Sequence, residues 1–110
     1  MTTRRALALA SGLLGMLLTA GVHAAGDPEA GRYKAQTCLG CHGVEGYDNV
    51  YPSYKVPKIG GQHAEYLVSA LKAYANGQRD HATMEAQAGA LSEQDMQDIA
   101  AYFASMDRSR

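Results

Sequence analysis

This chain of 110 residues has two cysteines, three prolines, one phenylalanine and no tryptophan. Cys38 and Cys41 are the only thiols and His63 and His81 stand apart, so the second ligand pair of a structural zinc site is missing. Strand signals are nearly absent, and with them the alternating sheet that would make a Cys-x-x-Cys pair a thioredoxin-like dithiol. The basic excess of a nucleic-acid binder is absent too. With Arg4 and Arg5 set aside, eight Lys and Arg face 11 Asp and Glu, a formal charge of −3. Beyond residue 24 no run is long and apolar enough to cross a bilayer.

The amino terminus reads as a separable leader. Arg4 and Arg5 give a basic start, residues 6–20 are almost wholly apolar or small, and Val22-His23-Ala24 offers small residues where a signal peptidase reads. Residues 1–24 are expected to be a secretory signal peptide cleaved after Ala24, with Ala25 as the alternative, and residues 25–110 one exported, periplasmic domain. The apolar run is about 15 residues, short for a membrane span. No stable membrane insertion is therefore expected after cleavage; an uncleaved anchor is the competing reading.

The most informative run is Cys38-Leu39-Gly40-Cys41-His42, two thiols three apart with an imidazole directly after the second. That is the spacing of a c-type haem attachment site. On a helix Cys38 and Cys41 share a face and His42 follows Cys38 by four residues, so both sulfurs can bond one haem while the imidazole reaches its iron. A chain this short buries proportionately little surface, and a large flat apolar cofactor would supply much of its core.

Helix signals organise the rest. Asp27-Pro28-Glu29 reads as an N-cap, a first-position proline and a first-turn acid. That helix is expected to run into the Cys38–His42 turn and to stop at Gly43 in the left-handed conformation. Residues 43–61 carry four glycines, two prolines and three tyrosines without helical period, a loop long enough to need a reason such as packing on a haem. Ala64, Leu67, Leu71 and Tyr74 mark an amphipathic helix over roughly residues 62–75, ended by Asn76-Gly77. A loop over 77–83 and a short helical turn over 84–90 follow. Ser92 then caps a last helix whose apolar face is Met96, Ile99, Tyr102, Phe103 and Met106. The expected fold class is all-α: three main helices, long loops and no sheet.

The second axial ligand separates a carrier from a catalyst. Met96 and Met106 belong to an apolar helix face, whereas Met84 lies in a polar stretch between helices with no core stripe around it. Its thioether suits haem iron, and His/Met ligation raises the reduction potential. His81, three residues away, is the competing ligand and would give a bis-histidine site. His63, near a helix start, reads as solvent-facing or locally bonded.

Taken in order, these residues make the chain resemble the class I c-type cytochromes, the small soluble bacterial monohaem kind. The resemblance covers almost all of residues 25–110: Gly31 and Ala35, the Cys38–Gly43 run, Pro57-Lys58-Ile59-Gly60-Gly61-Gln62, Tyr66-Leu67, Met84, Leu91–Asp95 and Ile99–Phe103. It implies thioether links from Cys38 and Cys41 to one covalently bound haem c, with His42 and Met84 as axial iron ligands. It also implies that the Pro57 carbonyl accepts a hydrogen bond from His42, and that Gly31 lets the first helix approach the last beside Ile99 and Tyr102. Where some relatives place a tryptophan near a propionate, Tyr51, Tyr54 or Tyr66 could serve, and Arg79 could pair with a propionate.

The function expected is single-electron transfer between redox proteins, donor and acceptor docking transiently, rather than enzymic turnover. The acidic mature chain suggests partners with basic patches. The alternatives are a haem-bearing subunit of a larger oxidase or dehydrogenase, and a haem enzyme or gas sensor with a labile sixth ligand.

Overall fold

The computed structural model describes residues 26–43, 48–50 and 53–107. The expected signal peptide, its cleavage site and Tyr51 lie outside the described residues. In chain order the elements are α1 (Pro28–Lys34), α2 (Gln36–His42), β1 (Asp48–Val50), β2 (Ser53–Lys55), α3 (Ala64–Ala75), α4 (Ala82–Gly89) and α5 (Glu93–Ala104). Among the described residues no helix is long and apolar enough to cross a membrane.

The all-α class holds, with three local differences from the sequence reading. The first helix is bent at fully buried Ala35 (φ −82°, ψ 4°), giving α1 and α2. Gly43 closes α2 at φ −90°, ψ −6°, not in the left-handed region. Glycine is needed there for closeness: a Cβ would lie 2.6 Å from the Leu39 carbonyl oxygen. The expected loop over 43–61 contains a small antiparallel ribbon, pairing Asp48 with Lys55 and Val50 with Ser53.

Local chemistry sets the other ends. The Asp27 carboxylate accepts the Glu29 N–H at 2.9 Å, and Pro28 occupies the first helical position. Ser92 and Asp95 form a reciprocal capping box, at 3.1 and 3.0 Å, that starts α5. At the end of α3, Gly77 adopts φ 78°, while the Gln78 and Gly77 N–H groups reach the carbonyls of Ala73 and Tyr74. This Schellman arrangement satisfies carbonyls that the helix leaves unpaired.

The core joins α1, α2, α3 and α5. Ala35, Leu67, Ile99, Ala100 and Phe103 form one buried cluster, with Phe103 its largest fully buried side chain. Gly31 is what lets α1 meet α5. A Cβ there would overlap the Asp98 carbonyl and come within 2.8 Å of Tyr102 Cβ. A polar knot closes the same crossing around Asp98, which is 3% exposed. One carboxylate oxygen accepts the Asp27 N–H and the Gln94 amide, each at 2.8 Å, and the other accepts Lys34 Nζ at 2.6 Å. Lys34 also donates to Asp95 at 2.8 Å. These contacts hold α1 against α5 and fix the direction in which α2 leaves the crossing.

Candidate cofactor site

The bend at Ala35 turns α2 so that Cys38 and Cys41, both half-buried and neither in a disulfide, line one cavity. Burial pushes the Cys38 thiol up from its ordinary value, partly countered by a hydrogen bond to Thr37. Reactive redox dithiols need the reverse, a thiolate stabilised at low pKa. Cys38 therefore lacks the electrostatics of a thioredoxin-like nucleophile.

His42 ends α2, and its Nδ1 lies 2.7 Å from the Pro57 carbonyl oxygen. A carbonyl can only accept, so Nδ1 carries the proton and Nε2 keeps its lone pair free for a metal. The loop that supplies this carbonyl is anchored. Gly61 N–H donates to the Phe103 carbonyl at 2.8 Å and Gln62 N–H to that of Ile59 at 3.2 Å. The end of α5 thus holds the Pro57 segment beside His42.

The helix that carries Met84 starts two residues before the expected turn over 84–90. Met84 lies in the first turn of α4, a regular helix beginning at Ala82. Its helix is capped by His81, whose Nδ1 accepts the Met84 N–H at 3.4 Å. Acceptance at Nδ1 puts the His81 proton on Nε2, the opposite tautomer from His42. In that state neither His81 nitrogen has a free lone pair for iron. Met96 and Met106 pack with the helices, Met96 buried and Met106 against Gly60, and Met84 is the methionine that lines the cavity.

These groups meet around one cavity of about 390 Å³, within the size range of cofactor sites. Its wall includes Cys38, Cys41, His42, Pro57, His81 and Met84, with Leu67, Leu71, Ile99 and Phe103 supplying apolar surface. Leu71 and Tyr74, read from sequence as a helix stripe, face this space. Among the described residues the lining holds Lys55, Lys58 and Arg79 and no carboxylate, which suits a ligand with two anionic propionates. Tyr54 and Tyr66 line it as well, while Arg79 stacks over the Tyr74 ring at 4.5 Å. His63 is exposed and outside this cavity. No group of three or more His, Cys, Asp or Glu among the described residues could hold a bare metal ion.

Tyr54, expected only as a residue near a propionate, also makes contacts with α4 that the sequence does not reveal. Its hydroxyl donates to Thr83 Oγ1 at 3.3 Å, and its ring meets His81 edge-on at 4.6 Å. The contact spans 29 residues, beyond any periodicity. The only local hint was an aromatic residue inside a glycine- and proline-rich loop.

A helical shell around an apolar cavity bordered by a Cys-x-x-Cys-His turn is the architecture of the cytochromes c. The chain belongs to that family: the cytochrome c family model matches residues 29–107. It is 43% identical over 101 residues to cytochrome c4 of Pseudomonas aeruginosa, covering 88% of this chain and 49% of that protein. It is 45% identical over 86 residues to cytochrome c-554(548) of Halomonas halodenitrificans, covering 76% of this chain and all of that protein. A thiosulfate dehydrogenase electron acceptor of Thiomonas intermedia is 34% identical over 108 residues, covering 96% of this chain and 46% of that protein. The chain thus spans about half the length of the cytochrome c4 it matches. The cofactor of the family is haem c, bound covalently, and the apolar, carboxylate-free cavity fits it.

Proposed function

We propose that this chain is an exported single-electron carrier, with Cys38 and Cys41 as the thioether residues and His42 and Met84 as the axial ligands. The observation that carries this reading is the convergence on one apolar cavity of the α2 Cys-x-x-Cys-His turn and the α4 methionine. Bound haem supplies a one-electron ferrous/ferric couple. The residues do the rest. His42, oriented by the Pro57 carbonyl, presents Nε2, and that hydrogen bond raises the basicity of the ring. The Met84 thioether favours the reduced state and lifts the potential. Leu67, Leu71, Ile99 and Phe103, which line the cavity, would keep water from a bound haem.

A ligand set complete on both sides leaves no open position for substrate, which favours a carrier over a haem enzyme or sensor. Export to the periplasm rests on the leader at residues 1–24. The partners are redox proteins met through small, salt-sensitive interfaces. The test is an absorption spectrum of purified protein in both oxidation states with acid–organic extraction. Haem that resists extraction and a thioether-to-iron charge-transfer band in the ferric state are expected. Extractable haem, or a high-spin ferric spectrum, would overturn the reading.

A further inference from the structure

We infer that Tyr54 and His81 form a clasp between the β-ribbon and α4 that holds Met84 in place, so that these two residues set how readily the iron loses its thioether ligand. This rests on Met84 being the sixth ligand, and goes beyond it by naming what positions that residue.

Three observations converge on the first turn of α4. His81 caps the helix through its side chain and accepts the backbone N–H of Met84 itself. In the same turn, Thr83 Oγ1 accepts the Tyr54 hydroxyl at 3.3 Å. Tyr54 also presses edge-on against the His81 ring at 4.6 Å, an arrangement favoured by the aromatic quadrupole. One tyrosine from β2 therefore braces both the cap residue His81 and Thr83 in the turn that carries Met84. α4 packs along α3, but its first turn is little buried. Apart from Ala88, no residue of α4 is buried, and of the cap's polar contacts two are long, 3.4 Å from the Met84 N–H to His81 and 3.4 Å from the His81 N–H to Glu85. A short, exposed helix is marginal by itself. Its position depends on external contacts: α3 packs along it, and Tyr54 of the ribbon reaches its first turn.

The consequence is an opening equilibrium. When α4's first turn moves, the iron becomes available to an exogenous base, and the observed affinity for that base is its intrinsic affinity multiplied by the open fraction. Loss of the clasp raises the open fraction without altering haem attachment. Tyr54 and His81 are positioning residues, and their effect reads out as ligand exchange.

The experiment is imidazole titration of ferric holoprotein, followed by loss of the thioether charge-transfer band. Tyr54→Ala and His81→Ala should each raise apparent imidazole affinity by about fivefold, the effect expected for losing a helix cap. The double variant should fall short of the product of the two, because the residues act through each other. His81→Asn, which restores a side-chain acceptor at the cap, should recover part of the loss. Where an alanine variant yields no holoprotein, Thr83→Val removes the hydroxyl partner of Tyr54 and should give about a two- to threefold rise.

Affinities that stay at the parent value across these variants, with the band present, would overturn the clasp while leaving Met84 as ligand. A fully multiplicative double variant would also overturn it. Met84→Ala separates the two readings. If the band survives that substitution, the ligand assignment fails and the clasp falls with it.

Discussion

Lys34 Nζ lies 2.6 Å from Asp98 Oδ2, joining two residues 64 positions apart at the crossing of α1 and α5. Lys34 holds Asp98 below the usual carboxylate range, and the hydrogen bond from Asp27 N–H adds to the effect. Lys34 and the Ser92 cap hold Asp95 at about 2. Both groups ionise more readily in the folded protein than in the unfolded chain, where a carboxylate titrates near about 3.9. Their contribution to stability is therefore complete above that value and lost as pH falls towards about 2. Thermal unfolding of holoprotein from pH 6 down to about pH 2 should show a falling midpoint below about pH 4. Lys34→Met should flatten that decline, and an unchanged slope would remove the knot from the account of acid stability. Asp98→Ala should destabilise at neutral pH by about 2 kcal/mol, the scale for hydrogen bonds to a charged group.

Gly31 and Gly89 should respond in opposite directions to the same substitution. Alanine is favoured over glycine inside a helix by about 1 kcal/mol. At Gly31 that gain is overwhelmed, because a Cβ would overlap the Asp98 carbonyl and crowd Tyr102 Cβ at 2.8 Å. Backbone cannot swing aside as a flexible side chain does, so α1 and α5 must part. Gly31→Ala should destabilise by about 1–3 kcal/mol, the range for overpacking. At Gly89 a Cβ meets nothing within 4 Å, so Gly89→Ala should be neutral or slightly stabilising. Denaturant midpoints of the two holoprotein variants check the contrast.

Much of this architecture was legible because its signals are local. The α5 helix combines a Ser92 cap, first-turn acids and an apolar period, and the structure places it at Glu93–Ala104. The start of α4 was hidden because its cap is a histidine, outside the usual Ser, Thr, Asp and Asn set. The ribbon escaped notice because each strand has three residues, too few for alternation to register. The Lys34–Asp98 pair escaped because the residues are 64 positions apart. A hint was available: Asp98 lies between Met96 and Ile99, both buried. The cavity's apolar wall was legible only as a stripe, since a helix pattern tells which face is buried and not against what.

Met84 offers the most direct spectroscopic prediction. It is the methionine lining the cavity, and His81, its rival from sequence, uses Nδ1 to cap α4. Met84→Ala should abolish the thioether charge-transfer band and lower the reduction potential, since thioether ligation favours the ferrous state. Paired titration of parent and variant, read electrochemically and by absorbance, checks both effects. A variant with unchanged band and potential would move the ligand elsewhere.

Cys41 tests whether the cofactor completes the fold. The buried cluster has Phe103 as its largest fully buried side chain, and a cavity of about 390 Å³ adjoins it. The surrounding Leu67, Ile99 and Phe103 would face water if that space stayed wet, forgoing about 25 cal/mol of stabilisation per Å² of apolar surface. A second consequence concerns attachment, because Cys38 and Cys41 sit one helical turn apart on α2 and each would supply one link in the proposed reading. Cys41→Ser leaves a single thiol, so exported chains should carry little haem and accumulate poorly. Haem staining of denaturing gels against immunoblot quantity separates the effects: both signals should fall, the haem signal further. A well-folded, abundant, colourless Cys41→Ser protein, with a cooperative thermal transition and native helical dichroism, would mean that α1, α3 and α5 suffice as a core.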